Sequence, residues 1–107
     1  MRYLLLICED ENAHVESMPE YVKFGEEMTK RGVLKDGNRL CPTTDATTVQ
    51  LRGGDVVTSD GPFAETKEQI GGFFLVDCKD LDEAIEIASQ IPGARFGSIE
   101  VRPIWEM

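Results

Sequence analysis

The chain has 107 residues, 20 acidic against 11 basic side chains, and a net charge of −9. This length predicts a single domain spanning residues 1–107. An acidic surface repels phosphate backbones and anionic lipid, which disfavours direct binding to nucleic acid or to a membrane surface. The longest apolar run, residues 4–8, is too short to span a bilayer. No export signal follows Met1, so we expect a cytoplasmic protein.

The cysteine and histidine content argues against metal and disulfide chemistry. Cys8, Cys41 and Cys78 are widely spaced, form no CxxC pair and are odd in number, as expected for reduced thiols. His14 is the single histidine of the chain. We therefore expect no metal site.

The first half of the chain predicts a strand, a helix and a second strand. Residues 3–8 form a continuous apolar run, typical of a central strand that is covered on both faces or held in a tight interface. Ser17 is placed to cap a helix over residues 18–31, and Gly32 is placed to end it. The second strand covers about residues 33–41.

The second half predicts a hairpin, a strand, a helix and a final strand. Residues 46–51 and 56–59 are β-rich runs joined by a turn. Residues 71–78 form another apolar strand, and residues 98–104 alternate as a half-exposed strand does. Asp80 is placed to cap the helix between these two strands, which ends before Pro92.

The spacing of apolar residues predicts which face of each helix is buried. In the first helix these residues are Met18, Tyr21, Val22, Gly25 and Met28. In the second helix they are Leu81, Ala84, Ile85, Ala88 and Ile91.

This order of elements, without the hairpin, is βαββαβ, the ferredoxin-like α+β arrangement. Its first and third main strands are antiparallel neighbours at the centre of the sheet. The loop with Glu9, Asp10 and His14 should therefore open at the same end as the loop over residues 59–69. Cys8 and Cys78 end these two strands at opposite edges, which disfavours a disulfide between them.

The most unusual stretch of the chain is residues 57–72. Asp60 and Gly61 tolerate a sharp turn, and Pro62 fixes its own φ and restricts Gly61. Phe63 then either packs inward or lines a pocket. Charged residues follow, before two glycines at 71–72 where another backbone or a ligand can come close.

Three stretches, RYLLLI, DGPFAETKEQIGG and IPGARFGSIEVRPI, resemble the YCII-related superfamily, and specifically its DGPF-motif branch. The resemblance runs from Met1 to about Trp105. It implies a homodimer in which two ferredoxin-like sheets associate into a dimeric α+β barrel, and this would explain a first strand that is apolar on both faces.

The resemblance also bears on activity. Relatives in the superfamily carry a His–Asp pair in a pocket and include enzymes that act on small organic acids. In those relatives the histidine lies within the first helix, whereas here His14 lies just before it. Domains similar to the DGPF branch occur beside sigma-factor-like transcription proteins, which suggests a regulatory role.

Each candidate site residue has a functional and a purely structural interpretation. Asp60 is the candidate general acid or base, or it accepts hydrogen bonds within its own turn. His14 pairs with Asp60, or it is a solvated loop residue. The candidate ligand-binding residues could equally be turn residues or a solvated charge cluster. They are Gly61, Pro62, Phe63, Lys67 and Glu68.

Three functions remain open from the sequence. The first is a cofactor-free enzyme of the lyase or hydrolase type, acting on a small organic acid with Asp60 as acid or base. The second is a ligand-binding or regulatory module associated with transcription through a protein partner. The third is a structural dimer whose DGPF turn shapes the interface between subunits.

Overall fold

A computed structural model of the chain describes residues 1–13 and 18–107. Over these residues the chain forms six strands and two helices in the predicted order, with ends that differ from the predictions by one or two residues. They are β1 (Arg2–Glu9), α1 (Met18–Lys30), β2 (Leu34–Arg39), β3 (Thr47–Arg52), β4 (Asp55–Asp60), β5 (Gln69–Asp77), α2 (Leu81–Ser89) and β6 (Ser98–Pro103). Ser17, the predicted cap of α1, lies outside the described residues.

The strands form two antiparallel sheets. The larger sheet has the order β2-β5-β1-β6, and the β3–β4 hairpin forms a separate two-stranded sheet. The predicted antiparallel pairing of β1 and β5 at the centre is confirmed, with Leu5 opposite Phe74 and Ile7 opposite Gly72. The chain therefore has a ferredoxin-like α+β fold with an inserted hairpin, as the sequence predicts.

The core lies between one face of the larger sheet and both helices. Tyr3, Leu5 and Ile7 of β1 are buried there together with residues of α1 and α2. The alternate residues of β1, including Leu4 and Leu6, are only half-buried, because successive strand residues point to opposite faces. Within one chain β1 is thus covered on one face only.

The predicted buried stripes of both helices are partly wrong. In α1 the buried residues are Phe24 and Met28, whereas Met18 and Val22 are exposed. In α2 they are Ala84, Ile87 and Ala88, whereas the predicted Leu81 and Ile85 are about half exposed. Apolar residues cover a wide arc of each helix, and its docking on the sheet decides which part of that arc is buried.

The helix ends follow the sequence more closely. Gly32, just after α1, has a φ of +76°, the left-handed conformation in which glycine ends helices at little steric cost. The Asp80 side chain accepts a hydrogen bond from the Glu83 N–H at 2.9 Å and caps α2 as predicted.

Two further findings concern the cysteines and the helices of the described residues. Cys8, Cys41 and Cys78 are all free thiols, as expected from their spacing. Neither α1 nor α2, the helices of the described residues, is long and apolar enough to cross a membrane.

Candidate functional site

The open end of the larger sheet, where β1 ends and β5 begins, carries a pocket of about 510 Å³, which we call the loop pocket. Its walls come from residues 10–12, 43–44, 61–62 and 65–67, together with Gln69. The loop after β1 and the loop before β5 therefore meet at one end of the sheet, as predicted for their described residues.

Hydrogen bonds hold two walls of the loop pocket together. The Glu11 carboxylate accepts from the backbone N–H of Thr43 at 2.8 Å and from the Thr43 hydroxyl at 2.6 Å. These bonds tie the segment after β1 to the segment after β2. Sequence reasoning did not single out Glu11 or Thr43, because their contact spans more than thirty residues and no local pattern signals it.

The segment before β5 is held by its own polar residues. The Gln69 amide donates to the carbonyl oxygens of Ala64 and Thr66, at 2.9 and 3.0 Å. The Thr66 hydroxyl donates to the Glu68 carbonyl at 2.6 Å. These bonds fold residues 64–69 into a compact wall instead of an extended linker.

The DGPF segment, residues 60–63, starts at the end of β4. The Gly61 N–H donates to the Ala46 carbonyl at 2.8 Å, and the Thr48 hydroxyl donates to the Gly61 carbonyl at 2.8 Å. Gly61 has a φ of +91°, so the turn uses a conformation that glycine adopts easily and other residues rarely do. The predicted sharp turn is therefore present.

The structure brings together some of the predicted site residues and not others. Gly61, Pro62 and Lys67 line the loop pocket. Asp60 and Glu68 are exposed and outside its walls, and Phe63 is 81% exposed. His14 lies outside the described residues, so its predicted pairing with Asp60 stays a prediction.

Glu68 lies near enough to Cys8 for its charge to act on the thiol. Burial raises the pKa of the Cys8 thiol, and the nearby charges of Glu100 and Glu68 raise it further. A raised pKa keeps Cys8 protonated at neutral pH, which disfavours nucleophilic chemistry by this thiol.

The charged side chains of the loop pocket are mostly acidic. Among the described residues that line it, Asp10, Glu11 and Glu65 carry carboxylates and Lys67 carries a positive charge. Among the described residues, no group of three or more His, Cys, Asp or Glu side chains is arranged to hold a metal ion. The walls offer hydrogen bonds and charge to a polar ligand.

The sheet order and the two helices define the class of the chain as a small α+β protein with a ferredoxin-like sheet, and comparison with known proteins gives its family. The family model of the YCII-related domain matches residues 1–107. The chain belongs to the YCII-related family.

One curated relative is an uncharacterized protein of Rhizobium meliloti (strain 1021), 52% identical over 75 residues. The match covers 68% of this chain and 60% of the relative. The chain therefore spans less than two thirds of the length of that relative.

Proposed function

We propose that this chain is a homodimeric small-molecule-binding protein whose ligand occupies the loop pocket. The observation that supports this most is the convergence of three separate loops, after β1, after β2 and before β5, on one pocket of about 510 Å³, within the usual size range of ligand sites. The bonds from Glu11 to Thr43 and from Gln69 to Ala64 hold these walls in place before a ligand arrives, which lowers the entropy cost of binding.

The dimer part of the proposal rests on the sheet face that carries no helix. Leu4 lies opposite Leu75, and Leu6 lies opposite Phe73. These four side chains are half-buried and lie outside the hydrophobic core. A second copy placed face to face on this surface would remove the apolar side chains from water.

The finer form of the proposal is a cofactor-free enzyme of the lyase or hydrolase type, with Asp60 as its general acid or base. Asp60 directly precedes Gly61, a wall residue of the loop pocket. A carboxyl needs an apolar, water-poor environment for a pKa near neutrality. In the single chain Asp60 and Phe63 are exposed, so proton transfer there requires the second copy to cover the DGPF segment.

Ligand binding is tested with ¹H–¹⁵N NMR spectra of the chain and a panel of small polar compounds that includes amines, polyols and organic acids. A ligand of the loop pocket should shift the amide signals of Thr43, Gly61 and Thr66. Lys67→Gln removes the cation found among the described wall residues and should change the affinity of a charged ligand about three- to tenfold, as loss of a partly exposed charge contact does.

Lys79→Gln is the matched control, since Lys79 is exposed and follows β5 at the opposite end of the sheet from Lys67. Its affinity should equal that of the unchanged protein. The proposal is overturned when no compound shifts the three amide signals, or when both lysine variants bind every ligand alike and the shifts lie elsewhere.

A measurement of turnover distinguishes the proposed enzyme from the alternative, a ligand-binding regulatory module. With a compound that binds, Asp60→Asn should abolish conversion and retain binding if Asp60 transfers a proton. Binding with no conversion by the unchanged protein would support a ligand-binding module that acts through a protein partner in transcription.

A further inference from the structure

A second group of polar side chains lies beside the loop pocket, on the face of the sheet that carries the helices. Tyr21 of α1 accepts a hydrogen bond from the Gly93 N–H at 3.0 Å. Its ring stacks on Phe74 of β5, with the ring centroids 6.5 Å apart. Tyr21 uses its hydroxyl oxygen as an acceptor, and no acceptor in the described part of the chain takes the hydroxyl proton.

The carboxylate of Glu9 borders the same space. A Cβ placed on Gly93 would lie 2.7 Å from the Tyr21 hydroxyl oxygen and 4.0 Å from Glu9 Oε2. Glu9 Oε1 would lie 2.7 Å from a Cβ on Gly71. A side chain at Gly93 would therefore crowd the Tyr21 hydroxyl, and one at Gly71 would crowd the Glu9 carboxylate.

An irregularity in the sheet places Glu9 in this position. Ile7 pairs with Gly72 and Cys8 pairs with Ile70, so Gly71 is skipped in the register between β1 and β5. Such bulges redirect the side chains around them and are frequent next to functional sites. Glu9 itself pairs with Gln69, a wall residue of the loop pocket, so the two places adjoin.

Two arginines lie close to these residues. Arg39 of β2 is opposite Gly72 of β5, the Leu40 N–H donates to the Gly71 carbonyl at 2.9 Å, and Arg95 follows Gly93 by two positions. We call Glu9, Tyr21, Arg39 and Arg95 the tyrosine cluster. Burial, and after it the charge of Glu9, raises the pKa of Tyr21, while the hydrogen bond from Gly93 and, after it, the charges of Arg39 and Arg95 oppose this rise. Arg95 is paired with Glu20. Arg39 is exposed at the end of β2, and it takes part in no ion pair formed among the described residues.

We propose that the tyrosine cluster binds a small hydroxycarboxylic acid, with its carboxylate on Arg39 and its hydroxyl between Tyr21 and Glu9. Such a hydroxyl accepts from the Tyr21 O–H and donates to the Glu9 carboxylate, and so satisfies one donor and one acceptor at once. The guanidinium of Arg39 matches the planar carboxylate of the ligand.

The charges of the two neighbouring sites favour the tyrosine cluster over the loop pocket for an acidic ligand. The loop pocket sets three carboxylates against Lys67, whereas the tyrosine cluster has two guanidinium groups against Glu9 and the paired Glu20. This inference rests on the proposed function, small-molecule binding at this end of the sheet, and adds the class of ligand and the residues that hold it.

The test compares lactate with propionate, which lacks the hydroxyl, and with lactamide, which lacks the charge. Lactate should shift the amide signals of Gly93 and Gly71 in ¹H–¹⁵N spectra, and both analogues should bind at least about tenfold more weakly, since each leaves polar groups of the site unpaired. Tyr21→Phe keeps the ring on Phe74 and should weaken lactate binding about tenfold. Arg39→Gln, at an exposed position, should weaken it similarly and does not threaten the fold.

Tyr3→Phe is the matched control, because Tyr3 is a buried tyrosine at the opposite end of β1. Its lactate affinity should be unchanged. If lactate shifts only Thr43, Gly61 and Thr66, the ligand lies in the loop pocket; this inference then fails and the proposed function stands. Equal binding of lactate by Tyr21→Phe, Arg39→Gln and Tyr3→Phe also overturns the inference. Absence of binding by lactate while other compounds occupy the loop pocket overturns it as well, and absence of binding by any compound overturns both proposals.

Discussion

Gly61 joins the hairpin to the walls of the loop pocket through its backbone conformation. Its φ is +91°, and a Cβ at this position would meet no atom within 4 Å. The cost of a side chain here is therefore conformational and not steric, since residues with a Cβ rarely adopt a positive φ. Gly25 in the middle of α1 differs, because its backbone is helical and its Cβ position is also open.

We therefore expect alanine to have opposite effects at the two glycines. Gly61→Ala should lower the free energy of unfolding by about 1–2 kcal/mol. Gly25→Ala should raise it by about 0.5–1 kcal/mol, because alanine favours the helix. Urea denaturation followed by circular dichroism measures both. Equal stability of Gly61→Ala and the unchanged protein would show that the turn relaxes to a different conformation.

At the scale of elements, the two helices are linked by one arginine at the end of α1. Arg31 donates to Glu86 of α2 at 2.8 and 3.2 Å, and lies 3.5 Å from Glu83. The hydrogen bond from Arg31 is the main cause of the lowered pKa of Glu86. These side chains are partly exposed, so water screens the interaction and its contribution to stability stays below about 1 kcal/mol.

The lowered pKa of Glu86 predicts the direction of a pH effect. A carboxyl with a lower pKa in the folded chain stabilises the fold above its ordinary pKa of 4.5, and this contribution is lost as the pH falls through the folded value. Glu86→Gln should therefore lose less stability than the unchanged protein between pH 6 and pH 3, as measured by urea denaturation at each pH.

Glu27→Gln serves as the comparison for this experiment. Glu27 lies 3.9 Å from Lys23 within α1 and links no second element. The stability of Glu27→Gln should change with pH in nearly the same way as the stability of the unchanged protein. A Glu86→Gln variant whose stability falls as steeply as that of the unchanged protein would show that the Arg31 contact contributes nothing in solution.

The same elements show what a sequence can predict. The order of strands and helices along the chain and the capping of α2 by Asp80 follow from local sequence patterns, and the structure confirms both. Local patterns do not predict the buried face of α2. Ile85 and Ile87 fit the helical spacing of apolar residues about equally, and the way α2 packs on the sheet buries Ile87 and leaves Ile85 exposed.

The candidate site divides in the same way. The turn at Gly61 is visible in the sequence because glycine and proline fix it locally. The approach of Tyr21 to Gly93 links residues 72 positions apart, and only the assembled sheet brings them together. A glycine directly after Pro92 is the local signal that a side chain from elsewhere comes close at that position.

At the scale of the whole molecule, two apolar surfaces of the described residues bear on the proposed dimer. The first is the sheet face around Leu6 and Phe73. The second is the β3–β4 hairpin, where Val49, Leu51 and Val56 are 63–71% exposed. A two-stranded hairpin is marginally stable by itself in water. Both surfaces are therefore candidates for the contact in the proposed dimer.

Charged substitutions on the two surfaces distinguish these candidates. In a single chain, a lysine at position 6 can extend its charged end from the half-buried face into water. In a face-to-face dimer, which usually buries about 800 Å² on each partner, the same charge would be buried in the interface. Leu6→Lys should therefore yield a folded monomer in sedimentation velocity, with the circular dichroism of the unchanged protein. Leu51→Lys, on the hairpin, should stay dimeric. Dissociation by Leu51→Lys alone would place the interface on the hairpin, and a monomeric unchanged protein would contradict the dimer on either surface.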